Sequence, residues 1–151
     1  LVTLNNKLYL IGGLNNGSNL DTIWEGSFDT ISHRITWVKM GLRLQKKRDG
    51  RFSIVISNQI IIFGGRFVYP ELYRFDDFVE IIENNALKQG PKVPFKLNTG
   101  KDQAVLDRKN RIIITSKDHG FIVYDHQAES FKNYDNLKLN EERLGYVAIL
   151  Q

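Results

Sequence analysis

The histidines His33, His119 and His126 and the arginines Arg48, Arg51, Arg66 and Arg143 are the side chains of this sequence with the widest chemical reach. Clustered imidazoles hold transition metals, and a planar guanidinium grips a carboxylate through two parallel bonds. His119 and His126 flank one strand-like run, which at roughly 3.3 Å per residue sets them on the order of 20 Å apart, too far to share a metal within that unit. The sequence contains no cysteine, which excludes disulfides, thiolate catalysis and thiolate-bound zinc from this segment. Gly12-Gly13 and Gly64-Gly65 invite comparison with phosphate loops. Neither is followed by a helical pattern or by Gly-Lys-Ser/Thr, so the expectation is close backbone packing or positive φ at a strand end. No metal and no cofactor is expected, and no set of residues reads as catalytic.

The formal net charge of +4 is spread along the chain except at Lys46, Lys47, Arg48 and Arg51. No aromatic stacking platform is interleaved with that cluster, so it reads as a solvated loop and not as a nucleic-acid footprint. With 42% hydrophobic residues in 151, the chain can bury a core. Its longest apolar runs, residues 60–63 and 112–114, are too short to cross a bilayer, and its start does not resemble a signal peptide. Leu1 is not an initiator methionine, so a leader in a longer precursor would be invisible. A cytoplasmic location is the expectation, with an extracellular one left open. Asn16-Gly17-Ser18 is both a glycosylation sequon and a plain turn signal.

The elements that must position these residues show themselves as a repeat. Residues 7–13 read KLYLIGG, 59–65 read QIIIFGG and 111–117 read RIIITSK, with starts 52 residues apart twice over. Each copy follows another β-rich run across a polar turn such as Asn5-Asn6 or Ser57-Asn58, which makes each pair an antiparallel hairpin. Downstream, Phe28-Asp29, Phe75-Asp76 and Tyr124-Asp125 each end a further strand, with the aspartates 47 and 49 residues apart. Their carboxylates suit turns that need bonds to backbone amides, and recurrence in every unit argues for structure over catalysis. Trp37, Ile82 and Phe131 then mark an outer fourth strand, with Trp37 and Phe131 expected in the packing between units. Continuous apolar runs in the inner strands imply burial on both faces, as in sheets stacked around an axis.

A strand ending in Gly-Gly, then a strand like residues 72–76, then Trp, then Arg-x-Gly resembles the kelch repeat. Gly12, Gly13, Gly64 and Gly65, Trp37, Arg48-Asp49-Gly50 and Arg143-Leu144-Gly145 carry the likeness across essentially the whole chain. Departures are Ser116-Lys117 for the third Gly-Gly, Asn98-Thr99-Gly100 for one Arg-x-Gly, and Ile82 and Phe131 for Trp. The expected fold is all-β, a kelch-type β-propeller with three four-stranded antiparallel blades. These fall at about residues 1–47, 48–97 and 98–142, with 143–151 the first strand of another. The resemblance implies about five to seven blades in a closed ring, so this chain is expected to be a fragment or one half. The remaining blades would then come from missing sequence or another chain.

The resemblance also implies function. Loops after the Gly-Gly strand and the Arg-x-Gly loops form the partner site in kelch adaptors, which points here to Arg48, Arg66, Tyr69, Asp118, His119 and Arg143. The expected partner is a protein, an acidic or turn-like segment gripped by arginines, with no nucleic acid and no membrane involved. An arginine bonded to neighbouring blade backbone is the alternative for any of these positions. The alternative function is a propeller enzyme of sialidase or sugar-oxidase type with most catalytic residues elsewhere. Residues 116–120 partly resemble the sialidase Asp-box, whose last two positions fail at Ile122 and Val123. The copper site of the galactose oxidase family needs a cysteine that this segment lacks.

Overall fold

Pairs of residues with positive φ divide the chain into hairpins. Asn5 and Asn6, Ser57 and Asn58, and Asn84 and Asn85 all have φ between 47° and 63°, and Asn16-Gly17 adds φ of 47° and 78°. Two central residues of this kind match the right-handed twist of the strands they join, and asparagine tolerates the conformation. The computed structural model describes residues 1–50, 52–69, 72–75, 78–94, 97, 103–116 and 120–134. Those residues form strands and connections, with no helix among them.

The first sheet contains β1 (Val2–Leu4), β2 (Lys7–Asn15), β3 (Ser18–Asp29) and β4 (Arg34–Arg43) in that order. The second contains β5 (Phe52–Ile56) and β6 (Gln59–Phe63). The chain then forms a separate two-stranded hairpin, β7 (Arg66–Tyr69) and β8 (Leu72–Phe75). It returns as β9 (Phe78–Glu83) and β10 (Ala86–Lys92), giving the order β5-β6-β9-β10. A third sheet runs β11 (Gln103–Leu106), β12 (Ile112–Ser116), β13 (Gly120–Asp125) and β14 (Ser130–Tyr134). All neighbouring strands are antiparallel.

The middle sheet explains its own apolar run. Ile60, Ile62 and Ile82 pack with Tyr9, Ile11 and Ile23 of the first sheet. Ile61, Phe63, Val79 and Ile81 pack with Ile112, Ile114, Ile122 and Tyr124 of the third. Alternate residues of β6 therefore enter opposite cores, and neither face of the strand is left to water. The first strands β1, β5 and β11 gather, with β5 against both of the others. The three sheets are blades meeting at their innermost strands, and among the described residues they do not close into a ring.

Blade two departs from the expected repeat. The run ending Phe75-Asp76 was expected as its third strand, but β8 pairs with β7 and stays outside the four-stranded sheet. The third strand is β9, which contains Ile82, and Asn84-Asn85 closes its turn with no aspartate. An inserted hairpin had reproduced the aromatic-aspartate signature by its local sequence alone. Asp76 lies outside the described residues. Trp37 was expected in the packing between blades. It stands on β4 over Gly26 of its own blade, where an added Cβ would lie 2.7 Å from the indole. With Leu10, Phe28 and Ile35 it occupies the face turned away from blade two, and 37% of it is exposed. Phe131 does pack between blades, against Phe63 and Tyr124.

Candidate functional site

Antiparallel blades deliver their turns alternately to two rims. One rim has the short turns at residues 5–6, 30–33, 57–58, 84–85, 107–111 and 126–129. Aspartates cap three of them, Asp107 by accepting from the Lys109 and Arg111 amides at 2.9 and 2.8 Å. Asp29 accepts from the Ile31 and Ser32 amides at 2.8 and 3.2 Å, and Asp125 from Gln127 and Ala128 at 3.0 and 3.1 Å. The Ile31 amide, followed by Ser32, holds the Asp29 carboxyl below its ordinary pKa. A cleft of about 700 Å³ opens here between Thr3, Leu8 and Phe28. Lys7 is its one ionisable lining residue, so it offers no acid-base pair.

The opposite rim holds the turn at residues 16–17, the connection 44–51 and the hairpin β7–β8. Arg48 is stitched into this rim by its backbone. Its amide donates to Leu20 O at 3.0 Å, and its carbonyl accepts from the Gly13 amide at 3.0 Å. The side chain then turns inward. It is fully buried, donates from Nη1 to Gly64 O at 2.9 Å and ion-pairs with the buried Glu80. Glu80 in turn accepts from the Gln45 amide at 2.7 Å.

The two Gly-Gly pairs make room for this arrangement. A Cβ on Gly12 (φ +47°) would lie 2.9 Å from Arg48 O, and one on Gly65 (φ +100°) would lie 3.0 Å from Arg48 Cδ. Arg48 was expected to grip a partner. Its burial corrects that reading, because a guanidinium shared between Gly64 and Glu80 cannot reach a ligand. It links blade one to blade two.

Arg66 remains at the surface. Its backbone exchanges both hydrogen bonds with Asp49, at 3.1 and 3.0 Å. Its guanidinium meets the same carboxylate through Nε and Nη2 at 2.9 and 3.2 Å, and half the side chain stays exposed. Asn19 Nδ2 donates to Arg66 O at 2.8 Å, tying the hairpin base to blade one. Tyr69 ends β7. Exposed Lys46 and Lys47 lie in the adjoining connection, with Lys46 Nζ 5.9 Å from the centre of the Phe78 ring. Asp118, His119 and Arg143 lie outside the described residues. Sequence reasoning missed Asp49 and Glu80. Glu80 did carry a signal, as a lone carboxylate within the apolar run 78–82 that must find a partner.

Among the described residues no group of three His, Asp or Glu side chains is placed to hold a metal. Of the described phenols Tyr124 is the most perturbed. Its hydroxyl is buried without a hydrogen-bond partner, and burial, aided by Glu129 and Asp125, pushes its pKa up to about 12. A phenol held protonated in this way is a poor nucleophile. The folded value lies above the ordinary 10.0, so the unfolded chain loses its proton first. Stability is thus complete below pH 10 and falls between pH 10 and 12. Tyr124→Phe should leave neutral-pH stability unchanged or slightly higher, since it removes an unpaired hydroxyl. It should also spare a loss on the order of 2 kcal/mol across the alkaline window, read by urea titration of both proteins at several pH values.

Residues 1–25 match the kelch motif. No curated protein matches the chain.

Proposed function

From a kelch motif over its first blade and three four-stranded sheets, which support a kelch-repeat β-propeller, we propose that this chain is a non-catalytic protein-interaction scaffold. It takes an acidic segment of a partner on the rim bearing Arg66, Lys46 and Lys47, beside Tyr69. The observation that carries the reading is the fixed, half-exposed guanidinium of Arg66. Asp49 orients its fork and about half of the side chain stays exposed, and the neighbouring lysines add positive field. The apolar far face of blade one, with Leu10, Phe28, Ile35 and Trp37, fits against another four-stranded sheet, supplied by further sequence or another chain.

Selection of a random displayed-peptide library on the whole chain should enrich acidic segments. Their affinity should fall at least tenfold as salt rises from about 0.05 to 0.5 M, and by a similar factor on Lys46→Glu with Lys47→Glu, with the thermal midpoint unchanged. Selected peptides without acidic bias, or indifferent to salt and to both charge reversals, would defeat the proposal.

A further inference from the structure

We infer that the junction of blades one and two, on the rim of short turns, seats one aliphatic side chain of an uncharged partner segment, with asparagine carboxamides bonding the peptide groups beside it. The inference does not use the charged rim opposite. Three hairpin turns meet at this junction, Asn5-Asn6 of blade one and Ser57-Asn58 and Asn84-Asn85 of blade two. Their left-handed backbone accounts for asparagine at each position. It does not account for the space that Asn5, Asn58, Asn84 and Asn85 surround, a pocket of about 100 Å³ reaching between the two blades.

The floor of the pocket is apolar. Ile60 and Ile82, paired across β6 and β9, line it with Leu4 and Tyr9, within the core that the two blades share. The Tyr9 hydroxyl donates to Glu25 at 3.1 Å, and burial, followed by that bond, raises its pKa, so it stays protonated. No described residue of the lining is therefore charged at neutral pH. Charged side chains beside the same turns are engaged within their own blades, Lys7 with Ser27 and Glu25 at 2.6 and 3.5 Å, and Glu83 with Gln59 at 2.9 Å. A charged ligand would lose its water here without gaining a counter-charge. The volume also lies below the roughly 300 Å³ at which small-molecule sites begin, so it suits one side chain and not a cofactor. A carboxamide carries donors and an acceptor together, and thus complements both halves of a peptide group. Asn5 donates to Asn58 Oδ1 at 2.7 Å across the junction, which leaves the Asn58 amide protons available. The carboxamides of Asn84 and Asn85 have no bonded partner among the described residues. The turns hold these groups in place before a partner arrives, which lowers the ordering cost of binding.

The test selects a random displayed-peptide library on the whole chain carrying Lys46→Glu and Lys47→Glu, so that the charged rim does not compete. Selected peptides should share one valine, leucine or isoleucine with no ionisable residue beside it. Replacing that residue by alanine should weaken binding at least tenfold, as expected for two or three buried carbons at about 0.8 kcal/mol each. Bound peptide should shift the methyl signals of Ile60 and Ile82 and the side-chain amide signals of Asn58, Asn84 and Asn85. Affinity should change less than about twofold between about 0.05 and 0.5 M salt. Asn84→Gly with Asn85→Gly keeps the left-handed turn while removing both carboxamides, and it should weaken binding at least tenfold with cooperative thermal unfolding retained. A library that yields no binder, peptides indifferent to the aliphatic residue or to the double glycine substitution, or binding that leaves the Ile60 and Ile82 methyl signals unmoved overturns the inference. Concentration-dependent shifts of those signals in the chain alone would assign the pocket to a second copy and overturn it too.

Discussion

Replacing Arg48 by alanine is expected to lower the unfolding free energy by about 3–5 kcal/mol, among the largest losses available to one residue of this chain. The change removes a fully buried cation and leaves Glu80 buried opposite an empty volume. It also strips the hydrogen bond to Gly64 O. Desolvation makes the pair itself a weak source of stability, so the loss comes chiefly from stranding the carboxylate. Arg48→Met combined with Glu80→Leu should therefore recover most of the stability. A residue of about 1 kcal/mol would remain for each unreplaced hydrogen bond, at Gly64 O and the Gln45 amide. Urea titration reads both proteins. A double variant no more stable than Arg48→Ala would show that packing around the guanidinium, and not the orphaned charge, carries the effect.

That pair also shows where sequence reading stopped. The hairpins of the blades were legible because Asn5-Asn6 and Ser57-Asn58 encode their turns locally, and because residues 60–63 could be continuously apolar only between two cores. All-β blades and a kelch motif agree with those local signals. Whether Arg48 points to a partner or to the interior was not local information. It depends on Glu80 in a later strand, and the backbone bonds to Leu20 and Gly13 come from the preceding blade. The third strand of blade two was misplaced for the opposite reason. Local pattern was followed where topology decided, and Phe75-Asp76 looked like the repeat although its strand belongs to the insertion. Trp37 carried the right residue type for a blade. Which of its faces meets a neighbour is set by the pairing of Gly26 with Trp37 across β3 and β4.

The second large effect is expected at the other junction. Phe63 is fully buried at the end of β6, with its ring edge-on to Tyr124 at 5.3 Å and to Phe131 at 6.3 Å, while Tyr124 and Phe131 pack at 4.8 Å. Phe63→Ala should cost about 3–5 kcal/mol, combining lost transfer energy with a cavity between sheets that cannot collapse. Phe63→Leu, which keeps most of the volume, should cost under about 1.5 kcal/mol beyond the lost ring pairs, each worth about 0.5–1.5 kcal/mol. Repeats held by neighbour contacts respond locally, so the two junctions should fail separately. Amide exchange should show β12 and β13 losing protection first in Phe63→Ala, while β2 and β3 keep theirs. In Arg48→Ala the order should reverse, because the side chain of Arg48, whose main chain bonds Gly13 and Leu20 of blade one, anchors in blade two at Gly64 and Glu80. Uniform loss across all three sheets in both variants would mean that the blades unfold as one unit.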